Sequence, residues 1–310
     1  MTDWEKNILH TLLYFDLWQY PLSEEELFAF FPAPCSSLSA FREQLREHGP
    51  GQNVSERYGY YYLSWNDDEI VERRKRNERH ARGMWRIARV AAHIIKRFPF
   101  VRGVFVSGDL SKNVTTRKSD VDFYIVTAPG RLWIARALLI AFKKVFLFNR
   151  KKFFCLNTFS SSSRLDIDER NVYAATEVAT LKPLFNSTLF LEFLRVNGWI
   201  LQFFPNFDIG LLPQPRCSER RSVLQRILEA PFAYLPSDRL DGFLMHSMKR
   251  VWARRYPEFD ARAQERQFHS TKDVSRAYPK DVQAEILTVY AERLRTVSPR
   301  LSPVKSPVSL

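Results

Sequence analysis

The alternation of hydrophobic and polar positions changes its period twice along the chain, and the first segment, residues 1–69, has a mainly helical pattern. Apolar residues at helical spacing predict a first helix, and Ser23 and Ser37 stand where N-caps would begin a second and a third. Gly59 then lies at the centre of a short pair of strands. The pattern predicts a small module of three helices and a hairpin.

The second segment has the spacing of buried strands. After a long helix with a polar face, apolar runs predict strands over 101–107, 120–127 and 152–159, with a helix over 130–148 before the last of them. Strands and helices that alternate in this way are typical of an α/β or α+β domain. We expect the core domain to cover residues 70–182.

Beyond the run of four serines at 160–163 the chain returns to a helical period, and residues 183–297 form the third segment, a helical domain. We predict helices over about 170–181, 187–204, 218–230, 237–256 and 280–296. The last residues, 298–310, contain Ser-Pro repeats, so we expect them to form a disordered tail.

Two aspartates open the second core strand. Because successive side chains of a strand point to opposite faces, we expect Asp120 and Asp122 on the same face. Adjacent carboxylates repel each other unless a cation lies between them, and hard oxygen ligands suit Mg²⁺ or Mn²⁺. Gly108, at the end of the preceding strand, allows backbone N–H groups to approach phosphate oxygens closely. The pattern predicts a metal-dependent site for a nucleoside triphosphate (NTP), and hence nucleotidyl transfer.

The same residues carry a family resemblance. Val104-Phe105-Val106-Ser107-Gly108-Asp109, a spacer from Leu110 to Ser119, and Asp120-Val121-Asp122-Phe123 resemble the motif of the DNA polymerase β-like nucleotidyltransferase superfamily. The continuation to Lys182-Pro183 is similar to bacterial nucleotidyltransferase-domain proteins with an N-terminal winged-helix-like region. The resemblance implies an α/β (α+β) nucleotidyltransferase core, an N-terminal winged-helix-like module and a C-terminal helical region. It implies no particular substrate.

Two positions depart from that family's pattern. The family usually places Ser or Gly after the motif glycine, where this chain has Asp109, and Ser107 stands one residue too early to replace that hydroxyl. The family also usually has a third carboxylate on a later strand, where this chain offers Asn157. An Asn side chain can ligate a metal through its carbonyl oxygen but cannot remove a proton. Asp109 either repels the triphosphate or serves as an additional metal ligand, and the sequence leaves both open.

Basic residues near the motif are expected to neutralise the triphosphate. Lys112 and Lys118 lie in the motif loop, and Arg136 lies on a mostly apolar helix, where it either contacts phosphate or pairs with an internal acid. The predicted nucleotide-binding residues are Ser107, Gly108, Asp109, Lys112, Lys118 and Arg136. The predicted metal ligands are Asp120, Asp122 and Asn157, and the first two are the predicted catalytic residues.

Three further acids follow the core strands. Asp166 and Asp168 come after the serine run and are placed to fold back toward the site. Glu177 lies on the next helix, where some relatives draw a general base, although a structural ion pair is the commoner role for such a residue.

The net charge is divided unevenly along the chain. Residues 1–69 contain twelve acidic and four basic residues, a net charge of −8, whereas the whole chain carries +13, so residues 70–310 carry +21. We therefore expect a polyanionic ligand on the core and C-terminal segments. The densest basic run, Arg73 to Arg97, is a solvated helix face, a track for RNA or the positive wall of a nucleotide cleft.

The N-terminal module lacks the charge that DNA binding requires. A winged helix that binds DNA needs a basic recognition helix, yet Arg42 and Arg46 of the third helix are offset by Glu43 and Glu47. We expect this module to have a packing or protein-contact role instead.

Composition excludes several other classes of protein. A hydrophobic content of 45% argues for ordered globular structure. Three isolated cysteines (Cys35, Cys155 and Cys217) provide neither a disulfide framework nor metal-ligand spacing. No apolar run is long enough to span a bilayer, and the N-terminus lacks the features of a signal peptide. We expect a cytoplasmic protein without a membrane span.

These features together predict a function. The leading hypothesis is an Mg²⁺- or Mn²⁺-dependent nucleotidyltransferase that moves a nucleoside monophosphate (NMP) from an NTP to a hydroxyl of RNA, protein or a small molecule. The alternative, favoured by Asp109 and Asn157, is a catalytically degenerate nucleotidyltransferase-fold module that binds nucleotide or RNA. A winged-helix regulator of DNA conflicts with the acidic N-terminus.

Overall fold

The computed structural model describes residues 1–149, 152–210, 220–278 and 280–297. The predicted tail at 298–310, the start of the helix predicted over 218–230, and Cys217 lie outside the described residues. The α-helices of the described residues are α1 (Asp3–Phe15), α2 (Glu24–Ala29), α3 (Leu38–His48), α4 (Glu69–Ile95), α5 (Gly108–Ser111), α6 (Leu132–Phe146), α7 (Val172–Thr180), α8 (Ser187–Val196), α9 (Val223–Glu229), α10 (Ser237–Arg255), α11 (Ala261–Gln267) and α12 (Val282–Val297). None of these helices combines the length and the apolar character needed to cross a membrane.

The strands form two sheets. The strands of the described residues are β1 (Leu22–Ser23), β2 (Val54–Arg57), β3 (Tyr60–Leu63), β4 (Val101–Ser107), β5 (Asp122–Thr127), β6 (Cys155–Ser161), β7 (Lys182–Phe185) and β8 (Val274–Arg276). The small sheet has the order β1-β3-β2 and the large sheet the order β7-β4-β5-β6-β8. In the large sheet β5 and β6 are parallel, with α6 as the crossover between them, and the other neighbours are antiparallel. The predicted mixed α/β (α+β) class is confirmed at this level.

The first three helices and the small sheet form the N-terminal module. Capping boxes begin α1 at Thr2 and α2 at Ser23, and Ser37 caps α3 as the sequence predicts. Tyr58 and Gly59 have φ values of 54° and 76°, and positive φ at both positions is what a two-residue hairpin turn requires. The predicted helices and hairpin are present, and the two-residue strand β1 is an addition.

Side chains of the large sheet alternate between two cores. Phe123 and Ile125 of β5 pack with residues of α4 and α6 and with Trp252 of α10. Tyr124 and Val126 face residues of α7, α8 and the N-terminal module. Because alternate residues of a strand share a face, the side chain of Asp122 lies on the same face as Tyr124.

The C-terminal residues return to two distant parts of the chain. β8 pairs with β6 and completes one edge of the large sheet. α12 packs on α1, where the Tyr290 hydroxyl donates to the carbonyl of His10 at 3.2 Å and Arg293 pairs with Asp16 at 2.5 Å. The prediction of a helical region over 183–297 is therefore incomplete, because this segment also contains β8 and most of β7.

Candidate active site

Three strand ends meet at one edge of the large sheet and bring the sequence motif together. β4 ends at Ser107, which pairs with Asp122 at the start of β5, and Asp122 pairs in turn with Cys155 at the start of β6. Because β4 runs against β5 and β6, its end lies beside their beginnings. We call this place the motif edge.

Gly108 lies against Asp122 at the motif edge. Its φ is +68°, a backbone conformation that residues other than glycine rarely adopt. A Cβ atom at this position would lie 2.8 Å from Oδ2 of Asp122, so any larger residue would collide with the carboxylate. The turn predicted to cradle phosphate and a carboxylate predicted to hold metal are therefore direct neighbours.

Asp122 is half-buried and surrounded by negative charge. Burial is the main reason that the pKa of its carboxyl group is raised to about 6. The nearby Cys155 thiol acts in the opposite direction and lowers this pKa, whereas the charges of Asp120, Asp109 and Glu177 raise it. Asp120 immediately precedes β5, and it is half-buried. Carboxylates crowded in this way favour a cation among them.

Asn157 occupies a bulge of β6 beside Asp122. Where the pairing advances by one residue along β5, it advances by two along β6, from Leu156 to Thr158, and Asn157 is the extra residue. Its Nδ2 donates to Oδ1 of Asp122 at 2.7 Å, and its Oδ1 accepts from the thiol of Cys155 at 3.1 Å. With the amide in this orientation, its N–H group rather than its carbonyl oxygen meets the carboxylate. Metal ligation by Asn157 requires the amide to turn over.

Asp109 is the second residue of the short helix α5, and its side chain contacts the loop that leads to Asp120 and Asp122. Its Oδ2 accepts a hydrogen bond from the hydroxyl of Ser119 at 2.5 Å. Ser119 directly precedes Asp120, so this bond closes the motif loop upon itself. The same bond keeps the carboxylate of Asp109 near Asp122, and the charge of Asp109 raises the pKa of Asp122.

Lys112 is held beside the glycine turn by Glu177. Its Nζ lies 2.8 Å from Oε1 of Glu177 and 3.4 Å from the carbonyl oxygen of Gly108. Tyr20, from the N-terminal module, places its hydroxyl 3.0 Å from the backbone carbonyl of Lys112. Glu177 thus makes an ion pair, and it does so within the wall of the cleft described next.

The motif edge opens into a cleft of about 890 Å³. Six of the predicted site residues line it: Ser107, Gly108, Asp109, Lys112, Asp122 and Asn157. Aromatic and apolar side chains supply other parts of its wall, among them Phe15, Tyr124, Tyr173, Phe193, Tyr278 and Leu287. The volume is in the upper part of the range of small-molecule sites, and this mixture of apolar walls with a few polar groups is typical of them.

The structure does not bring Arg136 to the cleft. Arg136 is buried on α6, on the other face of the sheet, with its guanidinium carbon 4.8 Å from the ring centre of Phe159 and 5.4 Å from that of Trp252. Its Nε and Nη1 have no hydrogen-bond partner among the described residues, and burial lowers its pKa to about 10. Lys118 is exposed in the motif loop, outside the lining of the cleft.

For several cleft residues, no pattern in the sequence predicts a place in the site. The hydroxyl groups of Thr158 and Tyr278 share a hydrogen bond of 2.6 Å although they are 120 residues apart. Arg276 of β8 pairs with Glu169 at 2.6 Å. Burial, followed by the charge of Glu177, raises the pKa of Tyr173. These contacts form only when β8 and α7 pack against the sheet, so no local sequence motif predicts them.

The acids of the cleft form no ready-made cage for a metal ion. Within the described ranges, no group of three or more His, Cys, Asp or Glu side chains is placed to hold a metal. Asp166 and Asp168 line the cleft but pair with Arg170 at 2.8 Å and with Arg164 at 2.9 Å. Mg²⁺ needs only one or two protein carboxylates when substrate phosphates and water complete its shell. Of the two predicted metal ligands, Asp122 lines the cleft, whereas Asp120 lies outside the lining, close enough for its charge to raise the pKa of Asp122.

Comparisons with known proteins identify no relative. Neither a family model, nor a curated protein, nor a solved structure matches the chain significantly. The function has to be inferred from the residues of the site.

Proposed function

We propose that the protein is an Mg²⁺- or Mn²⁺-dependent nucleotidyltransferase that moves an NMP from an NTP to an acceptor hydroxyl. The observation that carries the proposal is the contact between Gly108 and Asp122, where a Cβ would lie 2.8 Å from the carboxylate. A turn suited to phosphate oxygens and a carboxylate suited to the metal of that phosphate are neighbours at the edge of a cleft.

In this proposal the residues of the chain bind and orient the reactants. Backbone N–H groups of the Gly108 turn hold phosphate oxygens, and Lys112, paired with Glu177, lies beside them. Asp120 and Asp122 hold the divalent ion, which when bound offsets phosphate charge and polarises the α-phosphate. The acceptor oxygen forms a bond to the α-phosphorus while the bond from that phosphorus to the leaving pyrophosphate oxygen breaks. The hydroxyl proton passes to solvent.

The electrostatics of the site support a cationic cofactor. The pKa of Asp122 is raised to about 6, and three neighbouring acids contribute to that shift. A divalent ion reverses this balance, because it stabilises the ionised form of each carboxylate near it. The site therefore has a local excess of negative charge that a bound divalent ion would relieve.

The order of the elements supports the family suggested by the motif. A strand, a glycine turn with a short helix, and a second strand that opens with the aspartates follow one another as the resemblance implies. We interpret the N-terminal helices and hairpin as the winged-helix-like module. Arg42 of α3 pairs with Glu24 and Glu25 of α2, so its charge is neutralised inside the module. This pairing favours a protein-contact role over DNA binding.

Calorimetric titration with a non-hydrolysable NTP analogue tests the proposal. Mg²⁺ should tighten binding to the parent protein, and Asp122→Asn should remove most of that gain, a loss of about 10- to 100-fold. In EDTA the same variant should bind the analogue at least as well as the parent, because a repelling charge is gone. Glu192→Gln, exposed on α8, is the matched control for the loss of one acid. A double variant, Asp120→Asn with Asp122→Asn, that binds the Mg²⁺ complex as tightly as the parent contradicts the metal assignment.

The second candidate function is a degenerate module that binds nucleotide without transferring it. Asp109, which places an acid at the glycine turn, and Asn157, which donates to Asp122, favour this reading. If Asp109 only repels phosphate, Asp109→Ser should tighten binding of the Mg²⁺–NTP complex by about fivefold, the effect of roughly 1 kcal/mol of surface repulsion. A loss of binding in this variant would show instead that Asp109 serves as a metal ligand.

A further inference from the structure

The helix α9 is attached to the large sheet by polar side chains. Gln225 is fully buried, and its Nε2 donates to the carbonyl oxygens of Phe98 and Val101 at 2.9 and 2.6 Å. Glu229, one turn later, pairs with Arg102 of β4 at 2.7 Å. Positions that are four residues apart lie on the same side of a helix. The side of α9 that faces the protein is therefore its polar side.

The other side of α9 is apolar and lies in solvent. Since each residue advances by about 100° around a helix, four apolar residues lie within about 140° of one another, and the two anchoring residues lie outside this sector. The four side chains are between 43% and 68% exposed. We call them the α9 face: Val223, Leu224, Ile227 and Leu228.

This arrangement reverses the usual pattern of a surface helix. Such a helix normally buries its apolar side and presents its polar side to water. In α9 the polar contacts of Gln225 and Glu229 hold the helix, while the α9 face gains nothing from burial within the described residues. A contiguous exposed apolar patch of this kind marks an interaction surface.

Positive charge borders the α9 face. Residues 220–236 contain three arginines and one acid, Glu229, whose charge is already paired with Arg102 and lies 3.6 Å from Arg221. Arg220 and Arg226 are exposed and have no acidic partner among the described residues. Arg226 follows Val223 by three residues, so the two are neighbours on the helix surface. The partner that fits this face is apolar and negatively charged.

The α9 face is separate from the candidate active site. α9 contacts residues 98–102, at the start of β4, whereas the motif edge lies at the other end of this strand, at Ser107. The rise along a strand puts these two ends about 20 Å apart. No residue of α9 lines the cleft. A partner bound to the α9 face would leave the cleft open.

We propose that the α9 face docks on an anionic lipid bilayer. The four apolar side chains enter the boundary between head groups and acyl chains, and Arg220 and Arg226 contact lipid phosphates. A bilayer needs no complementary groove, which suits a face that consists of exposed side chains on one helix. A second copy of the chain is disfavoured, because each copy has a net charge of +13 and pairing of the two faces would bring their arginines together.

Co-sedimentation of the full chain with lipid vesicles tests the proposal. The parent should bind phosphatidylcholine vesicles that contain about 30% phosphatidylserine, and should bind pure phosphatidylcholine vesicles more weakly. Leu224→Ala with Ile227→Ala should weaken binding to the anionic vesicles by about 10- to 100-fold, because groups that enter the lipid are removed. Arg220→Gln with Arg226→Gln should weaken it by about 10- to 30-fold and reduce its dependence on salt.

Two double variants serve as matched controls. Trp65→Ala with Val145→Ala removes apolar side chains that are 53% and 65% exposed, outside α9. Arg46→Gln with Lys144→Gln removes two exposed charges, also outside α9. Both should bind the anionic vesicles like the parent. Thermal melting followed by circular dichroism should be unchanged in every variant, because each replaced side chain is exposed.

Three results would overturn the proposal. The first is a parent protein that binds neither kind of vesicle. The second is equal binding by the parent and both α9 variants, which would show non-specific adsorption of a basic chain. The third is a dimer in sedimentation equilibrium without lipid that Leu224→Ala with Ile227→Ala abolishes, since a second copy would then cover the α9 face.

The inference and the proposed function fail independently of each other. Asp120→Asn with Asp122→Asn should bind anionic vesicles at least as well as the parent, because the cleft takes no part in docking. Vesicle binding that is lost in this variant would contradict the assignment to α9. The α9 variants in turn should bind the Mg²⁺–NTP complex like the parent.

Discussion

At the scale of single residues, the carboxylate of Asp122 lowers the stability of the folded state at neutral pH. The carboxylate is crowded by burial and by neighbouring acids, and its pKa is raised to about 6. Because the unfolded chain has the ordinary value near 4, the folded state binds the proton more tightly. The stabilising contribution of this group is therefore present below about pH 4 and is lost as the pH rises through 6.

Asp122→Asn should stabilise the protein at neutral pH in the absence of metal. An amide can still accept the hydrogen bond from Asn157 Nδ2 but carries no charge, so we expect a gain of up to about 3 kcal/mol in the free energy of unfolding at pH 7.5. The gain should vanish near pH 4. Urea denaturation in EDTA at the two pH values measures it, and a gain that is equal at both would show that the charge of Asp122 is not responsible.

The sequence predicts the positions of some site residues but not of others. Gly108 directly follows β4 and Asp122 begins the next strand, β5, so their spacing is local, and the structure brings the two together as the motif suggests. Arg136 could be predicted to lie on an apolar helix but not on which face of the sheet. Its aromatic neighbour Trp252 comes from α10, more than a hundred residues later, and only tertiary packing reveals it.

At the scale of elements, the local period predicts the long helices and central strands, while short pairings depend on distant partners. The capped helices α2 and α3 and the strands β4, β5 and β6 have signals in their own residues. β8 is three residues long and exists because it pairs with Thr158, Phe159 and Ser160. The bulge at Asn157 likewise depends on the register between β5 and β6.

β7 carries a buried ammonium group that should limit stability. Lys182 pairs with Val106 in the sheet, and its Nζ has no hydrogen-bond partner among the described residues. Burial lowers its pKa to about 8, although the charge of Glu26 acts in the opposite direction. Because the folded pKa is depressed, the contribution of Lys182 to stability is present above its ordinary pKa near 10.5 and is lost as the pH falls through 8.

Lys182→Met should therefore raise the free energy of unfolding at pH 7 by up to about 3 kcal/mol, with little gain near pH 10.5. Urea denaturation across this pH range measures the difference, and Lys249→Met, exposed on α10, is the matched control. A loss of stability at pH 7 would show that the ammonium group has a stabilising partner in solution.

At the scale of the whole molecule, the chain joins its first and last segments around the cleft. Tyr20 of the N-terminal module contacts the backbone of Lys112, and Arg74 of α4 pairs with Glu26 at 2.9 Å. α12 crosses back to α1 and also contributes Leu287 to the cleft. The sequence pattern predicts domain boundaries at residues 69 and 182. It does not predict the cleft, because the walls of the cleft come from residues far apart in the chain.

The acidic and the basic segments of the chain occupy different places in the folded molecule. The N-terminal module, with its net charge of −8, packs against the face of the sheet that carries Asp122. Exposed basic residues lie outside the lining of the cleft, among them Arg82 and Arg86 of α4 and Lys144 of α6.

The most direct test of the central claim is a transfer assay with two radiolabels. The protein is incubated with Mg²⁺, total RNA or lysate, and each NTP labelled at either the α- or the γ-phosphate. The account predicts transfer of the α-label to an acceptor, no transfer of the γ-label, and loss of the product in the variant Asp120→Asn with Asp122→Asn. Transfer of the γ-label, or transfer of the α-label that survives in this variant, would contradict it.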